Sequence, residues 1–508
     1  MKAFATTAQR KKYVFLLLLL TVGMLGLRLW HLKADFPSGS IWIQDSAKYT
    51  DEGWYTNAAL NHIIFGHWYL PGDWSPAVAM PVWPWMIGVL FHFTGISIVA
   101  ARVLEVVCSW LSVLMAYLVV RQYRSAYLGV IVAFLIACNT LGFFFNRLAI
   151  LEAPVVLFML LAVYVAGYVK RDSYFLAFLV GIAFCVLTLT KATGPFLLPA
   201  VLYPIWAKNR KNPSAAWRLL AIAFTTAIVI LQIEKHFVLQ NHLADYGAFF
   251  GPIHPGCLIA HAFPKFVRFL LRATWIDPVL YPIALLAFFM ALFRFRFLWK
   301  DTLFVTAFLW EIGYAAFIIF HLDGPPRYFV VLIVPTVVLA LLFTEAVLKQ
   351  SRAAGMVLSA LILASVAWNI GYTVHFMLRP QYTLLNASYG VRREIRSHPN
   401  WSPLLMGHGA DQISLMAGGM PTVDTDGAMS FKEKLKTYHP GWYMFWGEDQ
   451  PGRVEVLNSE DTIVTVTRFP ALDFPGKQTL VLYQIAPRPI ALPVKEDLSR
   501  VDAGVCNY

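Results

Sequence analysis

Charge is scarce in this 508-residue chain. Asp, Glu, Lys and Arg make up 14% of it, against about a quarter in an average soluble protein. Hydrophobic residues make up 58%. Apolar runs of that extent exclude a large soluble core and point to a polytopic membrane protein. Paired cysteine spacing is missing as well. The five cysteines form no CxxC pattern, which argues against a zinc site or a disulfide scaffold. Cys108, Cys138 and Cys185 lie inside apolar runs and read as small core residues. Cys257 and Cys506 fall in segments expected outside the cytoplasm, and no spacing supports joining them. There is also no basic-aromatic stripe of the kind that binds nucleic acid. The net charge of +12 therefore reads as positive-inside bias. Internal repeats, common in secondary transporters, are not evident.

What is present can be threaded by its charges. Basic clusters at Lys11-Lys12, Arg121 to Arg124, Lys170-Arg171, Lys208 to Lys211, Arg294 to Lys300 and Lys349 to Arg352 mark cytoplasmic ends. Apolar runs at 13–30, 97–120, 126–145, 152–169, 174–190, 195–207, 217–236, 273–293, 302–320, 328–348 and 354–376 lie between them. The first reads as an uncleaved span with its N-terminus in the cytoplasm. The segment 77–93 carries Pro81 and Pro84 beside Trp83 and Trp85 and reads as an irregular juxtamembrane or re-entrant piece. The expected fold is a polytopic α-helical membrane protein of about eleven transmembrane helices, rising to about 13 if that segment and one more also cross. The membrane module is expected over 1–383, with long outer loops at 31–96 and 236–272. Within the first loop, 51–65 is expected to form a helix lying on the membrane, with Tyr55, Ala59 and Ile63 on one face. From 384 to 508 a soluble extracytoplasmic α/β domain is expected, with strands near 404–406, 442–446, 462–467 and 479–484.

The chemistry gathers at the outer ends of the spans. Asp51 and Glu52 open the loop helix. A carboxylate at the water–membrane boundary can take a proton from a hydroxyl or bind a divalent cation. It can equally complement a helix N-terminus. Arg147 offers a planar fork for phosphate. Glu152 lies five residues on, so the two converge only if a turn brackets them. Lys191 and Arg327-Tyr328 end other outer turns. For one lysine alone, snorkelling is the commoner reading. Positive charges outside oppose the positive-inside trend, and Arg147, Lys191 and Arg327 together call for an anionic partner such as a lipid phosphate. Arg102 and Glu105, three apart, read as a helical ion pair. His254 and His261 are isolated and read as structural or surface residues. Asn386 and Asn400 match glycosylation acceptors, which have meaning only in a eukaryotic source.

Taken in order, Asp51-Glu52-Gly53-Trp54-Tyr55, Met80-Pro81, Gly95, Ala101-Arg102, Arg147-Leu148-Ala149-Ile150-Leu151-Glu152, Leu189-Thr190-Lys191 and Pro326-Arg327-Tyr328 resemble a known pattern. It is that of GT-C membrane glycosyltransferases of the protein O-mannosyltransferase and aminoarabinose (lipid A) transferase superfamily. The resemblance covers roughly the first 350 residues. It implies a polyprenyl-phosphate-linked sugar donor and a lipid, glycan or protein acceptor. It also implies an active site facing the periplasm or exterior of a bacterial inner membrane, or the endoplasmic reticulum lumen in a eukaryote. Asp51 maps to the family's base, with Glu52 beside it. Arg147, Lys191, Arg327 and Tyr328 map to donor-phosphate binding. Glu152 stands where the family often has Asp, in a supporting or cation-binding role. No cofactor is required by the pattern, although some relatives of the wider fold use a divalent cation. The competing readings are a lipid-linked sugar flippase and an envelope assembly or receptor protein.

Overall fold

The structure, a computed structural model, describes residues 7–36, 45, 47, 49–75, 77–238, 262–320, 325–447, 451–472 and 478–487. Cys257, Cys506, His254, His261 and most of the second outer loop lie outside the described residues. The chain begins with helix α1 (Thr7–Leu27), then α2 (Asp51–Phe65), α3 (Val82–Thr94), α4 (Ile98–Tyr123), α5 (Ala126–Cys138), α6 (Thr140–Phe145) and α7 (Glu152–Ala166). Next come α8 (Tyr174–Thr190), α9 (Leu198–Asn209), α10 (Pro213–Phe237), α11 (Ala262–Ile276), α12 (Leu280–Phe293), α13 (Thr302–Phe320), α14 (Ile333–Gln350) and α15 (Arg352–Met377). Among the described residues, five stretches, 98–123, 213–237, 302–319, 326–350 and 352–377, are long and apolar enough to cross a membrane by length and composition.

Polar residues punctuate these helices where the apolar pattern alone cannot. Ser97, Ser125, Asn212 and Ser351 accept hydrogen bonds from the first-turn amides of α4, α5, α10 and α15, satisfying donors that have no partner within the helix. Asn139 does the same for α6 at 3.0 Å, so the run expected at 126–145 breaks into two helices. Asp277 Oδ1 accepts from Val279 and Leu280 N–H and divides the run at 273–293 between α11 and α12. The run at 328–348 starts as a 3-10 helix, Pro326–Leu332, before α14.

Two expectations for the first outer loop change. The segment 77–93 holds the regular helix α3, because Pro81 caps it and Pro84 falls in its first turn, where a missing N–H costs nothing. Its 13 residues rise only about 20 Å, short of the ~30 Å hydrocarbon core. Helix α2 has the expected limits and stops at Gly66, whose φ of 80° favours glycine. It does not lie on a membrane surface. Asp51 to Tyr55 and Thr56 to Asn61 are nearly all buried, and only its last turn, with Ile63, is exposed.

The cover over α2 comes from the C-terminal part of the chain. There α16 (Thr383–Ser397), α17 (Ala410–Ala417), α18 (Phe431–Tyr438) and α19 (Pro451–Glu460) surround a five-stranded sheet. Its strands are β1 (Leu405–Gly407), β2 (Thr422–Val423), β3 (Trp442–Trp446), β4 (Asp461–Pro470) and β5 (Thr479–Pro487), in the order β2-β1-β3-β5-β4. β1 pairs in parallel with β2 and β3, and β5 pairs antiparallel with β3 and β4. The period-2 alternation of β3 divides two cores. Tyr443 and Phe445 pack with Leu435 and Leu457 on one face. Trp442, Met444 and Trp446 belong on the other face to the core that continues into the helical bundle. The sheet is thus seated on the bundle, with α2 between them.

Candidate active site

Asp51 is the first residue of α2 and is 1% exposed. Its Oδ1 accepts from the Thr50 hydroxyl at 3.2 Å, and its Oδ2 lies 2.8 Å from Arg327 Nη2. Arg327 sits in the first turn of the 3-10 helix before α14. Its Nη1 also pairs with Asp45, and its backbone N–H donates to Asp45 Oδ2 at 3.0 Å. Burial pushes the Asp51 carboxyl up to about 6, against the opposing pull of Arg327. Asp45 is a site residue the sequence reading missed, since nothing around it in the chain marks it out.

Lys191, at the C-terminal end of α8, is fully buried rather than snorkelling. Its ammonium pairs with Glu152 Oε1 at 2.5 Å and lies 4.3 Å from the centroid of the Tyr328 ring. The Arg327 guanidinium lies 5.2 Å from the same ring. Tyr328 therefore presents its ring to both cations. Met80 Sδ accepts from the Ala192 N–H at 3.1 Å and ties the Met80-Pro81 turn to the one bearing Lys191. Asp51, Arg327, Tyr328, Lys191 and Glu152 thus form one buried constellation, assembled from α2, the turn before α14, α8 and α7.

Two residues expected in that constellation lie elsewhere. Glu52 follows Asp51 but turns to the opposite side of the helix start. Arg102 Nε and Nη2 each meet one of its oxygens at 2.7 Å. Ala149 N–H donates to Oε1 at 2.8 Å, and Gln412 Nε2 to Oε2 at 3.1 Å. A carboxylate so fully occupied is a strut and has no lone pair left for chemistry. The same bonds correct the expected Arg102–Glu105 pair. Arg102 instead clamps Glu52 and the carbonyls of Leu32 and Ala34, and Glu105 accepts from Ala153 N–H at 3.0 Å. Arg147 is the second departure. It stacks between Phe143 and Phe376 and donates to the Trp30 and His31 carbonyls. A cation on those carbonyls, just past the end of α1, suits the negative pole of that helix. The turn at 146–151 separates Arg147 from Glu152 instead of joining them.

The constellation supplies its own positive charge. Asp45 gives its oxygens to Arg327 and Ala47, Glu152 gives its to Lys191 and Leu151, and Asp51 faces Arg327. These residues do not fit a divalent cation, which needs several carboxylate or carbonyl oxygens facing one point. Among the described residues, His408, Asp424 and Asp426 bring donor atoms within 4.8 Å of one another. There, however, Asp424 Oδ2 already accepts from Trp54 Nε1 and Gly409 N–H, each at 2.8 Å.

A further polar cluster fastens the C-terminal part over α2. Asn57 Nδ2 donates to Asp411 Oδ2 at 2.8 Å and Asp73 Oδ2 at 3.3 Å. Asp424 N–H donates to Asp73 Oδ1 at 2.8 Å. The Lys434 ammonium reaches the carbonyls of Asp424 and Asp426. Burial pushes Asp73 up to about 7 and Asp411 well above the ordinary carboxylate range.

Comparison with known proteins matches this architecture. The profile of the dolichyl-phosphate-mannose-protein mannosyltransferase family matches residues 76–233. No curated protein matches the chain in a sequence search. Among solved structures, ArnT from Cupriavidus metallidurans bound to undecaprenyl phosphate is similar, with 15% identity and a TM-score of 0.58. The alignment covers 95% of this chain and 99% of that one. The Archaeoglobus fulgidus oligosaccharyltransferase in complex with Zn and sulfate has 13% identity and a TM-score of 0.53, over 84% of this chain and 67% of that one. The chain thus shares the fold of these two structures, and residues 76–233 match the mannosyltransferase family profile.

Proposed function

We propose that the protein transfers a sugar from a polyprenyl-phosphate donor, undecaprenyl- or dolichyl-phosphate-linked, to a hydroxyl or phosphate acceptor on the extracytoplasmic side. The observation that carries this reading is the buried Asp51 carboxylate, 2.8 Å from Arg327 Nη2 and beside the Lys191–Glu152 pair. Asp51 as the acid, with Arg327 and Lys191 held in place by Asp45 and Glu152, suits a reaction that takes a proton at one point and releases a phosphate at another. The ArnT structure, which holds undecaprenyl phosphate, and the name of the matched family support the donor class.

For a hydroxyl acceptor, the oxygen attacks the anomeric carbon from the face opposite the phosphate. Asp51 takes the hydroxyl proton as the new C–O bond forms. The bond from the anomeric carbon to the phosphate oxygen breaks, and polyprenyl phosphate leaves with the electron pair. Arg327 and Lys191 stabilise that growing charge. Polyprenyl phosphate leaves without a proton, so a second carboxylic acid of the glycosidase type is unnecessary. A single displacement inverts the anomeric centre. Arg147 is left out of this scheme, and Glu152 serves by holding Lys191.

The basic turns of the bundle support the extracytoplasmic assignment. Arg124 pairs with Asp301, Lys208 donates to the Gly167 carbonyl, and Arg294 donates to Gln350. These contacts gather the basic turns at one end. By the positive-inside rule such an end belongs in the cytoplasm, which supports a site for Asp51 on the other side.

The test is Asp51→Asn. Sugar transfer should fall by about 10²- to 10⁴-fold, the usual worth of a general base, with membrane insertion intact. In the unaltered protein the rate should fall as pH drops through about 6, where Asp51 gains its proton. Near-normal transfer by the variant would remove Asp51 from this role.

A further inference from the structure

Thr50 and Arg327 hold the oxygens of Asp51, but its backbone needs support as well. Its position also depends on the backbone of the first turn of α2, where the leading amides have no partner inside the helix. Thr50, the N-cap residue, turns its hydroxyl onto Asp51 itself. The amide of Gly53 is satisfied from far away: it donates at 2.8 Å to Oε1 of Gln412, 359 residues on. The other end of the same side chain, Nε2, donates at 3.1 Å to Glu52 Oε2. Gln412 is fully buried on α17.

A carboxamide is the chemical group this position calls for. It accepts from a backbone N–H and donates to a carboxylate at once. An ionised glutamate cannot donate, and an apolar side chain does neither. The arrangement needs α17 to touch α2 backbone to backbone, and Gly53 permits this. A Cβ added at Gly53 would lie 2.2 Å from Gln412 N and 2.6 Å from the Asp411 carbonyl carbon. Neighbouring bonds from Trp54 to Asp424 and from Asn57 to Asp411 hold the same surfaces together.

We infer that Gln412 is a positioning residue for Asp51. It caps the first turn of α2 from the C-terminal sheet region and so makes that region part of the catalytic apparatus. The inference rests on the reading of Asp51 as the base.

The test uses the full-length protein in nanodiscs, with Gln412→Leu keeping most of the volume and Gln412→Glu keeping the acceptor alone. Hydrogen exchange should speed up by at least about tenfold at the Gly53 amide in both, most in Gln412→Leu, as local opening becomes easier. Release of undecaprenyl phosphate from a lipid-linked sugar donor should lose roughly 10- to 100-fold in kcat, the cost of a displaced catalytic group. KM and binding of undecaprenyl phosphate alone should not change. Unchanged exchange at Gly53 would overturn the inference, as would faster exchange with kcat intact or a loss confined to KM. If Gln412→Leu does not fold, Gly53→Ala, which forces the two helices apart, should give the same kcat-only loss, and a normal kcat there would also overturn it. Failure of the Asp51 reading is separable. Asp51→Asn would then transfer normally, while the exchange at Gly53 still reports whether Gln412 holds the turn.

Discussion

Glu52→Gln separates a strut from a catalytic acid. In the native site Glu52 is fully buried and Arg102 is 2% exposed, with both guanidinium contacts at 2.7 Å. The amide keeps the shape but loses the charge, and it places an NH2 group against donors, Arg102 with Ala149 at one oxygen's place or Arg102 with Gln412 at the other's. Removing one partner of a buried pair costs about 3–5 kcal/mol, because the other charge stays buried. The two carbonyls on Arg102 Nη1 soften this, so about 3 kcal/mol is expected. Reversible unfolding in mixed micelles, followed by tryptophan fluorescence, measures the loss. Arg102→Met should cost a similar amount. The double variant Glu52→Met with Arg102→Met should cost at least about 2 kcal/mol less than the sum of the single changes, as contacting residues do in such cycles. It will not return to the native value, since Ala149 N–H and Gln412 Nε2 lose their acceptor at about 1–3 kcal/mol each. Asp51→Asn should leave stability nearly unchanged by comparison. A Glu52→Gln protein that unfolds within about 0.5 kcal/mol of the native one yet transfers no sugar would refute the reasoning and return Glu52 to the chemistry.

Lys191→Met should weaken binding of undecaprenyl phosphate and also destabilise the fold, because Glu152 would be left buried without its cation. Lys191→Met with Glu152→Met should regain the stability and not the binding, and a double variant that binds normally would free Lys191 from a phosphate role. The Asp73–Asp411–Asp424–Lys434 cluster, with Asp426 and His408 at its edge, should loosen as pH rises. Asp73 holds its proton up to about 7 in the folded protein and to 3.8 at its ordinary value. The cost of ionising it is therefore absent below about 4 and complete above about 7. Thermal unfolding across pH 5 to 8 should show stability falling with pH and a shallower fall in Asp73→Asn, and the opposite slope would contradict the assignment. Chelation by EDTA should leave sugar transfer unaltered, because Arg327 and Lys191 supply the charge a cation would bring, and a loss restored by added metal would overturn that account.

The limits of α2, α8 and α13 can be read almost residue for residue from the chain, since an apolar run closed by Asp, Ser or Gly is a local signal. Threading by basic clusters also brought Asp51, Lys191 and Arg327 to one end. Glu152 joined them, but through Lys191 rather than Arg147. The placement of Arg147 on carbonyls was not legible, because an arginine at a helix end looks the same whether it waits for phosphate or holds carbonyls. The direction of Glu52 was hidden for a related reason. Adjacent residues on a helix point about 100° apart, so the two acids of an Asp-Glu pair cannot share one partner. Which of them faces the cations depends on how α2 is rolled against α4 and α17.

The chain by itself indicated a helical bundle of membrane-like composition, its charged poles, the helix that Asp51 opens and every strand of the C-terminal sheet but β2, because hydrophobic period and capping act over a few residues. Only the tertiary structure decided that Asp45 shares Arg327, that Arg102 clamps Glu52 and that Gln412 caps the turn beside Asp51. These partners are 282, 50 and 359 residues apart. Hydrogen bonds of this kind are set by the packing of buried helices, and no pattern along the sequence records which polar groups that packing leaves facing one another.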